Sequence, residues 1–361
     1  MISMLKDRGV LAAALVLLFG IAAPGRADEI QYLPDGCFVI YSVDMAGFLK
    51  SKLYQEAKAK VNGFEDGMQR SPAEEMGIPA ANVARVTVGV GSGTDEIVVL
   101  TALKPITAAE IKASRKARPY QKDLTYKEVK VGAFTIYQET YFYSFNDDPK
   151  NKDRKPNDGR AFCVVEKNLV VCAFQMDSLK KILERNKKPT LAPNMEARLK
   201  ASGVKNMLTM VFDVTAFPEK EKKPLLRDLG KQLPGLENVF DGLQTLTISG
   251  TAANQVKVSA TMHCKDAATA GDFLKIANGG VIILKGVLKN EEADAPPEAK
   301  ESLKELGKAL DAVKLSAKGA QVNAEVTVEA AAAVTVVQGL FVPKKVTIKK
   351  GQPKEFKDDK K

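Results

Sequence analysis

The chain has 361 residues, of which 45% are hydrophobic and 27% charged, so it can bury a core and is not globally disordered. It has no Trp and only 6% aromatics, which argues against a ring-stacking platform for sugars or single-stranded nucleic acid. The formal charge of +10 divides into about +2 in the first 27 residues, +5 from eight Lys against three acids in residues 343–361, and about +3 in the body between, so no basic groove is implied. Taken in chain order, the first element is an address. Lys6 and Arg8 precede an apolar run from Val10 to Ala23, and Gly25 and Ala27 occupy the small positions that signal peptidase requires. Cleavage is expected between Ala27 and Asp28, delivering the chain to the periplasm or outside the cell. An apolar run of roughly 14 residues falls short of the ~20 that a spanning helix needs. No Cys sits at the cleavage point, so a lipoprotein is not expected. The later segment Gly279 to Leu288 is short and interrupted by Lys285, and no transmembrane segment is expected in the mature chain.

The roughly 330 residues that remain suggest two domains at about 150 each. Phe38 to Val43 reads as a strand, followed by Met45, Phe48, Leu49, Leu53, Ala57 and Val61 at helical spacing. Val83 to Gly91 and Glu96 to Leu103 form a hairpin across Ser92–Asp95. Thr107 and Glu110 make a capping box for the next helix. Glu128 to Gln138, Arg160 to Val165 and Leu169 to Phe174 supply three more strands, and Met176 to Arg185 a short helix. The second half runs similarly. Asn206 to Val214 is a strand ending in Asp213, as the first ends in Asp44, and leads into helical material from Pro224 to Phe240. Leu243 to Gly250 and Gln255 to His263 form a hairpin, Ala267 to Ala277 a helix, and Asn290 to Pro297 an acidic linker. Pro297 opens a helix with Leu303, Leu306, Leu310 and Val313 on one stripe. Val313 to Ser316 or Ala317 pairs with Gln321 to Val328, and an Ala-rich, helix-compatible stretch spans Ala330 to Leu340.

The expected fold class is therefore α+β, with two tandem related units, each a mostly antiparallel sheet with helices packed on one face. The units span 28–189 and 190–342, after a signal peptide at 1–27 and before a Lys-rich tail at 343–361 that is read as disordered. Ser144 to Asp158 is expected as a polar surface loop. Leu33, Pro34 and Asp35, the strand that runs on to Asp44, and the echo at Asp213 resemble a group of secreted bacterial proteins of planctomycete type. These open just after the signal with a Leu-Pro-Asp turn and carry repeated α+β units. The resemblance implies a fold and no activity.

The chemistry legible in the sequence is thin. His263 is the single histidine, which excludes a multi-His zinc site and leaves one imidazole for any nucleophilic relay. Its neighbour Cys264 faces the other way if both lie in a strand. With Lys167 and Asn168 as a two-residue turn, Glu166 pairs with Leu169 and Cys163 falls opposite Cys172, at a separation that suits a cross-strand disulfide in an oxidising compartment. Cys37 and Cys264 pair across the repeats or stay free; the spacing does not choose. The glycines at 89, 91 and 93 sit between strands with no helix behind them, so no phosphate cradle is expected. Asp147, Asp148, Asp153 and Asp158 are interleaved with lysines and lack calcium-loop spacing. Glu65 and Asp66, and Glu74 and Glu75, read as solvated pairs, and Asp44 and Asp213 as caps of the helices that follow. No catalytic residue, cofactor or metal is expected. The reading is a non-enzymatic structural or binding protein at the cell envelope, with an envelope protein or an anionic polymer as partner. The alternatives are a secreted hydrolase with an unrecognised carboxylate site and polyanion binding through the Lys-rich tail.

Overall fold

The computed structural model describes residues 27–61, 64, 76–91, 96–118, 124–141, 157–185, 188–202, 206–220, 222–223, 241–295 and 297–341. The expected signal segment before Ala27, the expected tail at 343–361, the polar stretch 142–156 and the helical expectation at Pro224 to Phe240 lie outside them.

The fold is α+β. Among the described residues twelve strands form one antiparallel sheet rather than two separate ones, in the order β11-β12-β10-β9-β8-β1-β2-β3-β7-β6-β5-β4. The seam between the halves is the pair β1 (Val39–Val43) and β8 (Leu208–Asp213), in which Ile40 faces Val211 and Ser42 faces Thr209. From β1 outward run β2 (Val83–Val90), β3 (Glu96–Ala102), β7 (Leu169–Ala173) and β6 (Asn157–Glu166). From β8 outward run β9 (Leu243–Ala252), β10 (Gln255–Cys264), β12 (Gln321–Glu329) and β11 (Lys314–Lys318). The strand orders match, except that the first half adds the hairpin β4 (Thr125–Val131) and β5 (Phe134–Tyr141) at its outer edge. Glu128 to Gln138, expected as one strand, is therefore split between two. The chain turns there because Gly132 adopts φ +56°, a conformation that side chains with a Cβ disfavour.

Helices cover both faces of the first half. On the face that carries Ile40 and Val211, here the front, lie α1 (Ala27–Ile30), α5 (Met176–Glu184) and α6 (Pro193–Ser202), with Leu179, Ile182, Met195 and Leu199 packed on Ile97, Val99, Val171 and Val211. On the back, α2 (Met45–Lys50) and α4 (Ala108–Lys116) pack Met45 and Ile111 on Val86, Val88, Leu100 and Val170. The back of the second half is covered by α3 (Lys52–Lys60), α7 (Ala267–Asp294), α8 (Pro297–Asp311) and α9 (Ala330–Phe341), around Ile248, Val256, Val258 and Val326.

Local chemistry sets these boundaries. Thr107 and Glu110 form the capping box in both directions. Ser51, with ψ 152°, breaks the expected single helix into α2 and α3, and its hydroxyl accepts from Tyr54 N at 3.1 Å. Asp44 caps α2 by accepting from Gly47 N at 2.9 Å. The Leu33-Pro34-Asp35 turn is a structural clamp. Arg185 donates to the carbonyls of Gln31 and Leu33 and pairs with Asp35 at 3.2 Å.

Two expectations fail in the second half. The helix after β10 does not stop at Ala277 but runs 28 residues to Asp294, so most of the expected acidic linker is its last turn. By length and composition this is, among the described residues, one helix that could cross a membrane, contrary to the reading of Gly279 to Leu288 as too short.

Candidate functional site

The front of the second half is where polar chemistry collects. On β8, β9 and β10 the back positions are apolar, with Leu208, Ile248, Val256 and Val258 buried in the back cluster, while most front positions on the inner part of the strands carry hydroxyls. Strand alternation puts them all on one face. The cross-strand registers arrange them in three rows: Thr209–Ser249–Ser259, Val211–Thr247–Thr261, and Asp213–Thr245–His263. Thr is at home in these strands because its branched Cβ suits the pleated surface.

Over the inner two strands lies α6. Its Met195 and Leu199 are buried, and Arg198, three residues from one and one from the other, shares their inward side. At this interface five buried polar atoms have no hydrogen-bond partner among the described residues: Arg198 Nε, Thr209 Oγ1, Asp213 Oδ2, Thr245 Oγ1 and Thr247 Oγ1. Thr209, Asp213 and Thr245 are at most 1% exposed. Each orphan of this kind costs about 1–3 kcal/mol unless solvent or a ligand meets it. The outer hydroxyls differ: Thr261 Oγ1 lies 3.0 Å from Asn323 Oδ1 and is satisfied.

Asp213 behaves as a turn former on one oxygen only. Its Oδ1 accepts from Thr215 N at 3.0 Å and Thr215 Oγ1 at 2.6 Å, so the expected cap is an Asx-type turn with Oδ2 left over. His263 stands directly across from Thr245. Burial, and then the Arg198 charge, lower its pKa from 6.5 to about 4, so it is a neutral imidazole at pH 7. Cys264 turns to the opposite side, packed with Ala270 and Phe273.

An Asp–Thr–His row invites a catalytic reading, and the geometry does not make it a relay. Activation of a hydroxyl needs a hydrogen bond to its base. The Thr245 hydroxyl makes none to either neighbour, and an imidazole with a pKa near 4 is a weak base at neutral pH. What the arrangement can do is hold a polar molecule: a cationic donor beside His263, a free carboxylate oxygen beside Thr245, and hydroxyls between.

The residues singled out from the sequence fall elsewhere. Asp147, Asp148, Asp153, Glu65, Asp66, Glu74, Glu75 and Gly93 lie outside the described residues, and Asp158 is in β6. Gly89 lies in β2, where a Cβ would meet Cys37 Sγ and Leu33 at 3.0 Å; its role is close packing. Ala27 and Asp28 open α1. The expected Cys163–Cys172 bridge is overturned. The turn pairs Glu166 with Leu169 as expected, but the register slips between Val164 and Glu166, so Cys163 faces Val171 and Cys172 faces Phe162. A one-residue slip sends the two thiols to opposite faces of the sheet. All four cysteines are free and buried. Burial pushes the Cys37 thiol up to about 12 and Cys163 to about 11, and raises Cys172 and Cys264 too, so none is a ready nucleophile.

Sequence reasoning misses α6 and with it Arg198. The available signals are Pro193 at the first helical position, suited to a helix start, and Met195 and Leu199 at i, i+4.

No protein-family model matches the chain, and no curated protein matches it. Two solved structures are similar to it at low identity. "Structure of crystal form III of TP0453" has a TM-score of 0.45 and 11% identity, covering 87% of this chain and 98% of that one. "Structure of crystal form I of TP0453" has a TM-score of 0.43 and 11% identity, covering 88% of this chain and 98% of that one.

Proposed function

We propose that this is an exported, non-catalytic binding protein of the cell envelope, and that the polar interface between α6 and the front of β8–β10 holds a small zwitterion of amino-acid size. The observation that carries the reading is the gathering at one interface of five buried polar atoms without a partner among the described residues, which ordered solvent or a polar ligand would complete. Arg198, beside His263, offers a carboxylate a charged donor. Asp213 Oδ2, beside Thr245, offers an ammonium an acceptor. The strands that carry Asp213 and His263 are separated by one strand, hence about 10 Å apart, which a free amino acid can bridge. Export rests on the n-region, apolar run and small residues up to Ala27, and the planctomycete-type resemblance belongs to the same proposal.

The test is a thermal-shift screen of the chain from Asp28 onward against the free amino acids. At least one is expected to raise Tm saturably, by the linkage of binding to folding, and Arg198→Leu to abolish the rise. A flat response across the panel, with only water at these five atoms in a crystal structure, ends the reading.

A further inference from the structure

We infer that α7 docks this protein on an anionic lipid surface, with the side that carries Ile282, Ile283 and Val287 laid into the boundary between headgroups and acyl chains. This goes beyond the ligand reading and does not depend on it. From Ile276 to Leu288 only Asn278 and Lys285 are polar, so the helix is apolar around its whole circumference. Such a helix is normally enclosed by protein or by lipid. Here one side is enclosed: Phe273 packs near Val322, and Leu284 and Leu288 join the cluster that holds Leu306 and Leu310 of α8. The other side is open. Ile282 is 70% exposed, Ile283 56% and Val287 45%, and only 17% of the most apolar 18-residue stretch is buried. Around Gly279, Gly280 and Gly286 a Cβ would meet nothing within 4 Å, so no other part of the described protein overlies this side.

A second copy of the chain is the weaker occupant. A stable dimer uses about 20–30 residues a side, whereas here three large side chains on one helix are open. A few apolar side chains at the membrane interface, by contrast, are a sufficient anchor when a basic segment adds a second attraction. The charges fit that requirement. Lys275 and Lys289 lie seven residues on either side of Ile282, on the same line along the helix, and both are exposed. Their aliphatic stems can lie on the apolar strip while the ammonium groups reach phosphates. Lys275 also pairs with Asp272 at 2.9 Å, but no acid lies between Lys275 and Glu291. The chain continues past Phe341 into residues that hold eight Lys against three acids, a charge that anionic lipid attracts and neutral lipid does not.

The absence of Trp gives a clean probe. Ile283→Trp, in the chain from Asp28 to Lys361, is mixed with phosphatidylcholine vesicles with and without phosphatidylglycerol. The expected result is a blue shift of its emission, with quenching by brominated acyl chains, on the anionic vesicles. In co-sedimentation, Ile282→Ser/Ile283→Asn is expected to lower binding at least about tenfold with an unchanged far-UV spectrum. Removal of residues 343–361 is expected to weaken binding and its salt dependence, while the blue shift of the introduced tryptophan at high vesicle concentration persists. The inference is overturned if the tryptophan stays solvent-exposed on every vesicle. It is equally overturned if the double variant binds as the parent does, or if the parent binds DNA as well as vesicles and loses both with the tail. A light-scattering dimer that the double variant disperses, with no vesicle binding, assigns the strip to a second copy and overturns it too.

Discussion

The two halves of the sheet handle most of their buried polar groups in opposite ways, although the Tyr126 hydroxyl in the first half is also buried with no partner among the described residues. In the first half, the Glu29 carboxylate takes hydrogen bonds from Thr87 at 2.7 Å and Thr101 at 2.6 Å, and Ser42 and Thr87 lie 2.8 Å apart. Arg115 and Glu139 close a two-point ion pair at 2.7 and 2.8 Å. In the second half, Thr209, Thr245, Asp213 and the half-buried Arg198 each keep a polar atom with no partner among the described residues. The seam sharpens the contrast, because Ser42 and Thr209 are direct cross-strand neighbours and only Ser42 is satisfied. A complete network fixes a fold, while an incomplete one leaves hydrogen-bonding capacity that water or a ligand can take up.

The largest effect should come from breaking the completed side. Arg115→Met strands a Glu139 carboxylate that is 1% exposed, and a loss of about 3–5 kcal/mol is expected in urea unfolding. Adding Glu139→Leu should restore most of it, because the pair is then replaced by apolar packing. A single variant as stable as the parent would mean that this half is no better satisfied than the other. Glu29→Ala is expected to cost somewhat less, about 2–3 kcal/mol, by leaving the Thr87 and Thr101 hydroxyls without their acceptor.

The open side should respond differently. Thr245→Val with Thr247→Val removes two orphan hydroxyls at nearly constant shape, so the unliganded protein should change by less than about 1 kcal/mol. The amino-acid thermal shift, however, should disappear. A large destabilisation without ligand would show that these hydroxyls have structural partners, and would erase the contrast between the halves.

His263 supplies a pH test of the same interface. Its pKa is lowered, so below about 6.5 the unfolded chain takes up a proton that the folded chain refuses until about 4. Stability at this site is therefore full above 6.5 and falls as pH drops towards 4. The facing groups are Arg198, which opposes protonation, and Asp213, across Thr245. The difference in urea midpoint between the parent and His263→Gln should shift in favour of the variant on going from pH 7 to pH 4.5. A difference independent of pH would place the imidazole in solvent.

How far the sequence reaches follows the same division. Periodicity and capping residues carry the elements. Thr107 with Glu110 marks a helix start, and the alternation in Leu243 to His263 marks a hairpin. They do not carry a helix held by partners. Asn278, Gly279 and Gly280 have the chemistry of a stop, yet α7 continues because Leu284 and Leu288 pack into the back cluster with α8. Nor do they carry a site made of ordinary residues. Thr245 and Thr247 look like any strand threonines until α6 closes over them, and no spacing announces that Arg198 will meet His263.

The smallest expected effect concerns the cysteines, and it tests the register on which the front and back faces are assigned. With Cys163 opposite Val171 and Cys172 opposite Phe162, the thiols lie on opposite faces, and a bridge would need a slip of one residue along β6. Such a slip would also turn Phe162, buried against Tyr137 at 5.2 Å, out of the back cluster. Reductant should therefore leave Tm unchanged. Alkylation of protein purified without reductant should be slow while it is folded, since all four thiols are buried. After unfolding, four alkyl groups should appear in the intact mass. Two missing groups that return with reductant would mean that β6 and β7 pair in the other register, with every front and back assignment on β6 exchanged.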